Sequence, residues 1–503
     1  MKEYTSVVEC IAGHASTHPD RLAIADSKTS YTYSQAWHKI IAVASYLKNL
    51  GIRKDSRVVV ECSQTADYII AEMAIQLLGA VFVPVEKNAA LNRITEIIEE
   101  TQAHIHIGKK PVHTNSCRTE FVKMSDISNI PSEDSPYAVY CIRFPGKNDI
   151  AEILFSTGTT GKSKGIVLTH RNDIAIAENV ICGVEMKPKN IELIPMPLSH
   201  SHGLRRTYAN LVNGSTAIFS DGITLLKSVF NLIEDYHVTS LDLSPSMLSI
   251  IFKLSKNRLA DYKDSLDYIQ LGSAPLPEDS KIHLKEILPN TRLYNFYGST
   301  EAGCSCLLDF NSMSGKPGCI GKPAKNAKFI VVDNDRNEIK SSKEHPGFLA
   351  SCGPINMKCY FRAPSLTKEA TNNGSDYIYT KDLGYIDDEG YIYMLGRKDD
   401  VINYGGIKIA PEEIESIAIK HEGILDCAVV PISDPLTGQA PELFVSLEDE
   451  KEYNPKEFKN FLKTNLDANK QPKFIKIIDK IPRTFNGKIK RKELINHALT
   501  KKH

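Results

Sequence analysis

The 503-residue sequence has no excess of either charge, with 61 Lys and Arg residues against 61 Asp and Glu. No overall field draws it to nucleic acid or to an anionic membrane, so any handling of phosphate has to be local. Paired thiols are also missing. The 11 cysteines are scattered, Cys304 and Cys306 are the closest pair, and no C-x-x-C spacing marks a zinc site or a redox dithiol. They read as reduced and mostly buried. Long apolar runs are absent as well: the greasiest stretch, Ile69 to Val85, is interrupted by Glu72, Gln76 and Pro84. The opening MKEYTSVVEC lacks the apolar core of a signal peptide. The expectation is a soluble cytoplasmic protein without integral membrane association. Low-complexity tracts and internal repeats are likewise not seen.

The length predicts two or more domains. From Tyr31 to Val85 helical and strand signatures alternate: SQAWHKIIAVASYLKNLG, SRVVVEC, DYIIAEMAIQLLG, AVFVPV. The rhythm returns with the strands STAIFS and TSLDLS and the helices SVFNLIEDYH and SMLSIIFKLSK. Alternation of this kind predicts α/β layers around a parallel sheet. From about Cys319 short strands broken by turns predict a β-rich region, a barrel or curved sheet. After Gly396, PEEIESIAIKH, ILDCAVVPISD, PELFVSLED and PKEFKNFLKTNL read as a compact α+β domain, with Pro411 and two glutamates suited to a first helical turn. The fold class is therefore α/β multidomain: residues 1–396 hold two α/β subdomains and a β-rich subdomain, and 397–503 form a small second domain.

FSTGTTGKSKG, Phe155 to Gly165, is one residue away from a Walker A loop, which needs glycine where Ser156 stands. An apolar strand end runs into glycines, hydroxyl side chains and two lysines, Lys162 and Lys164. Such a loop offers N–H groups, hydroxyl donors and ammonium charge to phosphate oxygens. Further stretches follow in order: LGSAPLP (Leu271 to Pro277), NFYGSTEAG (Asn295 to Gly303), YTKDLGYIDDEGYIYMLGRKDDVINYGGIKIAPEEIE (Tyr379 to Glu415) and IPRTFNGKIKRKEL (Ile481 to Leu494).

Together these stretches resemble the signature motifs of the adenylate-forming superfamily, which includes acyl-CoA synthetases, peptide-synthetase adenylation domains and luciferases. The resemblance spans about Tyr31 to Leu494. It implies that Ser156, Thr157, Gly158, Thr159, Thr160, Lys162 and Lys164 hold the phosphates of ATP. It also implies that Gly272, Ser273, Ala274, Asn295, Phe296, Tyr297 and Gly298 form the adenine site. There Gly272 admits a flat base to the backbone, Tyr297 offers a stacking face and Asn295 pairs with an exocyclic amine. Thr300 and Glu301 fall in the Y-G-x-T-E motif, where the Glu301 carboxylate is suited to Mg²⁺ bridging the triphosphate. Asp382 would accept from the ribose hydroxyls, Arg397 would contact ribose and α-phosphate, and Lys488 would be the catalytic lysine. Asp399 takes the hinge position, and Gly405 and Gly406 leave room for a pantetheine arm after the C-terminal domain rotates.

The sequence departs from the family pattern at three places: Lys381 replaces the glycine of T-G-D, Asn403 stands where lysine is common, and Ser199 replaces an aromatic in P-L-F-H-x-x-G. His200 and His202 suggest a metal pair or, in preference, a histidine lining the acyl pocket; His200 is assigned there with Leu243 and Ser244. SHSHGLRRTYANL has no aspartate to meet a substrate ammonium, which favours an acid lacking an α-amino group. Arg205 or Arg206 would read a second carboxylate, or else face solvent on a helix. Lys490, Arg491 and Lys492 read as a solvated basic face, and Asp387, Asp388 and Glu389 as a solvated hairpin.

The implied reaction is ATP-dependent formation of an acyl-adenylate with release of pyrophosphate, then transfer of the acyl group to coenzyme A. The alternative acceptor is the phosphopantetheine of an acyl carrier protein. Because the chain begins and ends with the adenylating unit, a free-standing acid–CoA ligase is favoured.

Overall fold

The structure, a computed structural model, describes residues 4–114, 117–131, 143–156, 164–223, 225–274, 276–312, 316, 318–371, 376–397, 400–404, 407–448, 453–484 and 488–500. Thr157, Gly158, Thr159, Thr160 and Lys162 of the glycine-rich stretch, Asp399 of the expected hinge, and Gly405 and Gly406 lie outside them.

The chain divides into two compact units: Met1–Gly315 with Ile320–Phe329 and Ser351–Ile378, and Lys316–Cys319 with Ile330–Ala350 and Tyr379–His503. The expected boundary at 396/397 therefore falls inside the second unit. A local cause is the hairpin in which Asp382 to Ile386 pair with Ile392 to Arg397, which keeps the end of the β-rich stretch with its partner strand.

In the first unit the strands Val81–Val85, Arg57–Glu61, Ile105–Gly108 and Glu120–Lys123 run parallel. Val81–Val85 is buried at every position, as expected of a strand covered on both faces. The helix Tyr33–Asn49 starts at a capping box in which Thr32 and Gln35 each accept the other's backbone N–H. Beyond Val81–Val85 come Ile150–Ser156, Lys164–Thr169 and Cys359–Tyr360, the last two added antiparallel. Ser156 pairs with Lys164, so the glycine-rich segment joins two neighbouring strands at one sheet end.

A second sheet of this unit runs Gly303–Asp309, Arg292–Ser299, Tyr268–Leu271, Ser240–Leu243, Ile191–Ile194, Thr216–Phe219, Leu22–Ala25, Ser30–Thr32, parallel except at its two ends. The carboxyl ends of Ser240–Leu243 and Tyr268–Leu271 lie side by side, with Leu243 opposite Leu271. Ligand sites of open α/β sheets gather at such ends.

In the second unit Ile424–Asp434 and Gly438–Leu447 form a long hairpin, flanked by Ile402–Tyr404, Ile407–Ile409 and Phe474–Ile477. Side chains alternate between the faces. Cys427, Val429, Leu443 and Val445 pack with Phe458 and Leu462 of the helix Pro455–Asn465. Ala428, Val430 and Phe444 pack with Ile481 and Leu494. This is the expected α+β arrangement. Among the described residues no helix is long and apolar enough to cross a membrane.

Candidate active site

Glu301 lies in the turn between Arg292–Ser299 and Gly303–Asp309 of one sheet, Lys164 begins a strand of the other, and Tyr360 contacts both. Tyr360 pairs with Ile166 on the strand that begins at Lys164, and its hydroxyl donates to Glu301 Oε1 at 2.9 Å. Lys164 Nζ lies 5.6 Å from the centroid of the Tyr360 ring. The backbone is held too: Met357 N–H donates to the Glu301 carbonyl at 2.7 Å, and Asn172 donates to the carbonyls of Pro354 and Asn356. One half-buried carboxylate results, oriented by a phenol whose ring also carries an ammonium over it. Sequence reasoning missed Tyr360; its only sequence signal is a tyrosine ending a short strand after a glycine-containing turn.

That donor set fits magnesium brought by a nucleotide, since Mg²⁺ usually takes one or two carboxylates and completes its shell with phosphate oxygens and water. Among the described residues no group of three His, Cys, Asp or Glu side chains is placed to hold a metal ion alone.

The two stretches expected to form the adenine site begin on adjacent strands, with Leu271 opposite Asn295. Asn295 and Tyr297 are half-buried on one face of their strand, and the buried Phe296 turns to the other. A Cβ on Gly183 would come 3.0 Å from Phe296 Cζ, so the Phe296 ring packs in the core and only its backbone is available to the expected base site. Tyr297 lies 6.4 Å from the Phe329 ring, tilted by 55°. At Gly298 a Cβ would fall 2.0 Å from the Gly303 carbonyl oxygen, so this close approach of backbones requires glycine. Thr300 is half-buried in the turn that follows.

In the second unit Asp382 and Arg397 are cross-strand partners, and Arg397 Nε lies 3.2 Å from Asp382 Oδ1. Asp382 is buried and Arg397 half exposed, so the aspartate is positioned and the guanidinium can turn toward a ligand. Lys381, the departure from T-G-D, adopts φ +63°. The lysine thus occupies a left-handed conformation that favours glycine. Lys488 is exposed; its N–H donates to Thr484 Oγ1, and its carbonyl accepts from the Thr484 N–H.

The acyl-pocket assignments need one correction. Arg205 is 1 % exposed and is paired with Glu152 and with Asp173 at 2.7 Å. It is an internal counter-ion, placed neither to read a substrate carboxylate nor to face solvent. Arg206 is equally buried against Glu192. The strands carrying Glu152 and Glu192 point carboxylates inward, and the helix Ser201–Asn213 supplies the cations. Arg491 corrects the solvated basic face in the same way: it is buried, with bonds to Glu412, Glu415 and the Val429 carbonyl. Ser244 is buried as the N-cap of Pro245–Ser255, accepting from Met247 N–H, and Leu243 is buried beside the Gly272 turn, whose N–H donates to the Leu243 carbonyl. His200 is half-buried at the start of Ser201–Asn213. Both ring nitrogens of His202 are engaged, Nδ1 with Ser273 and Nε2 with Asp242.

The same fold occurs in ATP-bound MatB from Rhodopseudomonas palustris, with TM-score 0.86 at 21% identity over 97% of this chain and 98% of that one. It also occurs in o-succinylbenzoate CoA synthetase from Bacillus subtilis in complex with its acyl-adenylate intermediate OSB-AMP, with TM-score 0.84 at 22% identity, covering 98% of each chain. Fold and motifs define an adenylate-forming class of protein. The family model for AMP-binding enzymes matches residues 11–361, and that for the AMP-binding enzyme C-terminal domain matches 413–488. The chain belongs to the AMP-binding enzyme family. Among characterised relatives it is 27% identical to 4-coumarate–CoA ligase 3 from Arabidopsis thaliana, over 94% of this chain and 87% of that protein. It is 28% identical to 2-succinylbenzoate–CoA ligase from Bacillus licheniformis, over 95% and 97%.

Proposed function

We propose that the protein is an AMP-forming acid–CoA ligase. The observation that carries this reading is the Glu301–Tyr360–Lys164 arrangement at the end of the glycine-rich hairpin, in a chain aligned over nearly its whole length with CoA ligases. A carboxylate acylates poorly because its leaving group would be oxide. Attack on the α-phosphate of ATP converts it to a mixed anhydride, and the step joins two anions, so charge neutralisation and alignment dominate. Lys164 supplies positive charge beside the phosphates. Glu301, held by Tyr360, would hold Mg²⁺, which when bound supplies further neutralisation of the triphosphate. Asp382 and Arg397 would orient the ribose, with Asn295 and Tyr297 on the base. Lys488 would stabilise the adenylating transition state and then withdraw as the segment with Gly405 and Gly406 turns about Asp399. The acid is one without an α-amino group. A cytoplasmic location agrees with the thiol content.

The test is pyrophosphate release against a broad panel of carboxylic acids, with and without CoA. Acid-dependent release followed by CoA thioester formation is expected. Release without thioester, but with loading of a carrier protein, would transfer the reading to carrier loading; no release with any acid would end it. Lys488→Ala is expected to lower acid-dependent pyrophosphate exchange by at least a hundredfold while leaving thioester formation from supplied acyl-adenylate within about threefold of the parent.

A further inference from the structure

The turn after Tyr268–Leu271, expected to lie against the base of ATP, also carries a serine hydroxyl engaged by a histidine and a buried aspartate, side-chain chemistry that adenylation does not require. Ser273 Oγ lies 2.6 Å from His202 Nδ1, and His202 Nε2 lies 2.8 Å from Asp242 Oδ1. Asp242 is fully buried. A carboxylate only accepts, so Nε2 carries the proton and Nδ1 is left to accept the hydrogen of the Ser273 hydroxyl. Behind the aspartate, Gln270 Nε2 donates to the same Oδ1 at 3.1 Å, and Gln270 Oε1 accepts from Arg206, itself paired with Glu192. The aspartate is therefore held from the core side as well as by the imidazole.

The nucleophile's own geometry is unusual. Ser273 adopts φ +75° directly after a strand end and Gly272. Serine pays about 1 kcal/mol or more for that conformation, and a strained turn after a strand, presenting a serine, is the local design of a nucleophile elbow. His202 is mostly covered with 14 % of its side chain exposed, and Ser273 is half-buried at the turn. A Cβ on Gly272 would come 3.1 Å from His202 Cε1, so the ring lies where a larger residue would displace it.

We propose that Ser273, His202 and Asp242 form a nucleophile–base–carboxylate relay that gives the protein a second activity, hydrolysis of activated acyl groups: simple aryl esters and the acyl-adenylates made at the same site. Ser273 Oγ attacks the acyl carbon as its proton passes to His202 Nδ1. The Oγ–C bond forms, and the bond from carbon to the leaving oxygen breaks, releasing the phenol, which takes that proton, or AMP. Water then attacks the acyl-serine and gives its proton through Nδ1 to Oγ, and the free acid leaves. His202 touches the reacting oxygen and is the base; Asp242 acts through it as a positioning residue. The choice of acyl-adenylate rests on the ligase reading, whereas the relay does not.

The experiment treats the full-length protein with a fluorophosphonate probe and maps the adduct by mass spectrometry, alongside hydrolysis of p-nitrophenyl butyrate. The expected result is an adduct on Ser273, with ester hydrolysis lost in parallel. His202→Gly should lower the labelling rate at least a hundredfold, with partial recovery on adding imidazole, which a merely structural histidine would not show. Asp242→Asn should lower the rate tenfold or more and change its pH profile. Folded wild-type protein that is not labelled at Ser273, or whose ester hydrolysis survives labelling, overturns the proposal. Pyrophosphate release is measured separately on protein not treated with the probe: its absence there, in protein whose Ser273 takes the probe, ends the ligase reading alone, and its presence in protein whose Ser273 does not take the probe ends the relay alone.

Discussion

Lys381 shows how one backbone angle is worth more than a motif letter. At φ +63° a side chain costs about 1–2 kcal/mol that glycine would not, while glycine costs roughly 0.5–1 kcal/mol in unfolded-chain entropy. Lys381→Gly is therefore expected to raise stability by about 0.5–1 kcal/mol, seen as a higher denaturant midpoint at unchanged slope. A loss would mean that the lysine's own contacts outweigh the backbone relief. The strand that carries Asp382 keeps its place in the substitution because the aspartate is fixed by other means: Arg397 faces it across the hairpin, and the Asp382 N–H donates to Thr380 Oγ1.

At the scale of elements, the helix Ser201–Asn213 was the least legible. Its sequence reads as polar, yet Arg205, Arg206, Thr207, Tyr208 and Asn210 are all buried. Glu72, Glu152 and Asp173 surround Arg205 and Tyr208, and burial pushes the carboxyls of Glu72 and Asp173 well above the usual range. The single hydroxyl hydrogen of Tyr208 faces oxygens of both Glu72 and Glu152, which Glu72 permits by holding its own proton. Removing one partner of such a cluster leaves charge without a counter-ion. Arg205→Leu is expected to lose about 3–5 kcal/mol, measured by urea unfolding, and Arg205→Lys, which keeps the charge, to lose less. Unchanged stability in Arg205→Leu would return the arginine to the substrate-facing or solvent-facing role expected from its sequence.

For the whole molecule, buried titratable groups set the pH range of stability. His170 is fully buried, with neither ring nitrogen partnered among the described residues, and burial lowers its pKa from 6.5 to about 4. The folded state keeps it neutral while the unfolded chain takes up a proton below pH 6.5. Stability is then fully present above that pH and is lost as pH falls toward 4, by on the order of 3 kcal/mol. In His170→Gln the slope of melting temperature against pH between 6.5 and 4 should be shallower than in the parent; equal slopes would show that other groups carry the acid sensitivity.

The alternation of helices and strands, the order of the motifs and the residue types able to handle phosphate, base and ribose were all legible in the amino-acid sequence. They depend on local periodicity and on chemistry carried by single side chains. Which charges are paired inside was not, because Arg205 meets Glu152 from 53 positions away and Arg491 meets Glu415 from 76. Nor was Tyr360, which reaches Glu301 only because its short strand is added beside Lys164–Thr169. His202 drew notice as a neighbour of His200, but its partners stand 40 and 71 residues further on, brought to it by the parallel pairing of Ser240–Leu243 with Tyr268–Leu271. Sequence by itself determined the adenylate-forming class and the list of groups available for the reaction. Only the tertiary structure decided which of those groups stay exposed and which neutralise one another inside, since strand order and burial, both properties of the whole chain, control distance and dielectric.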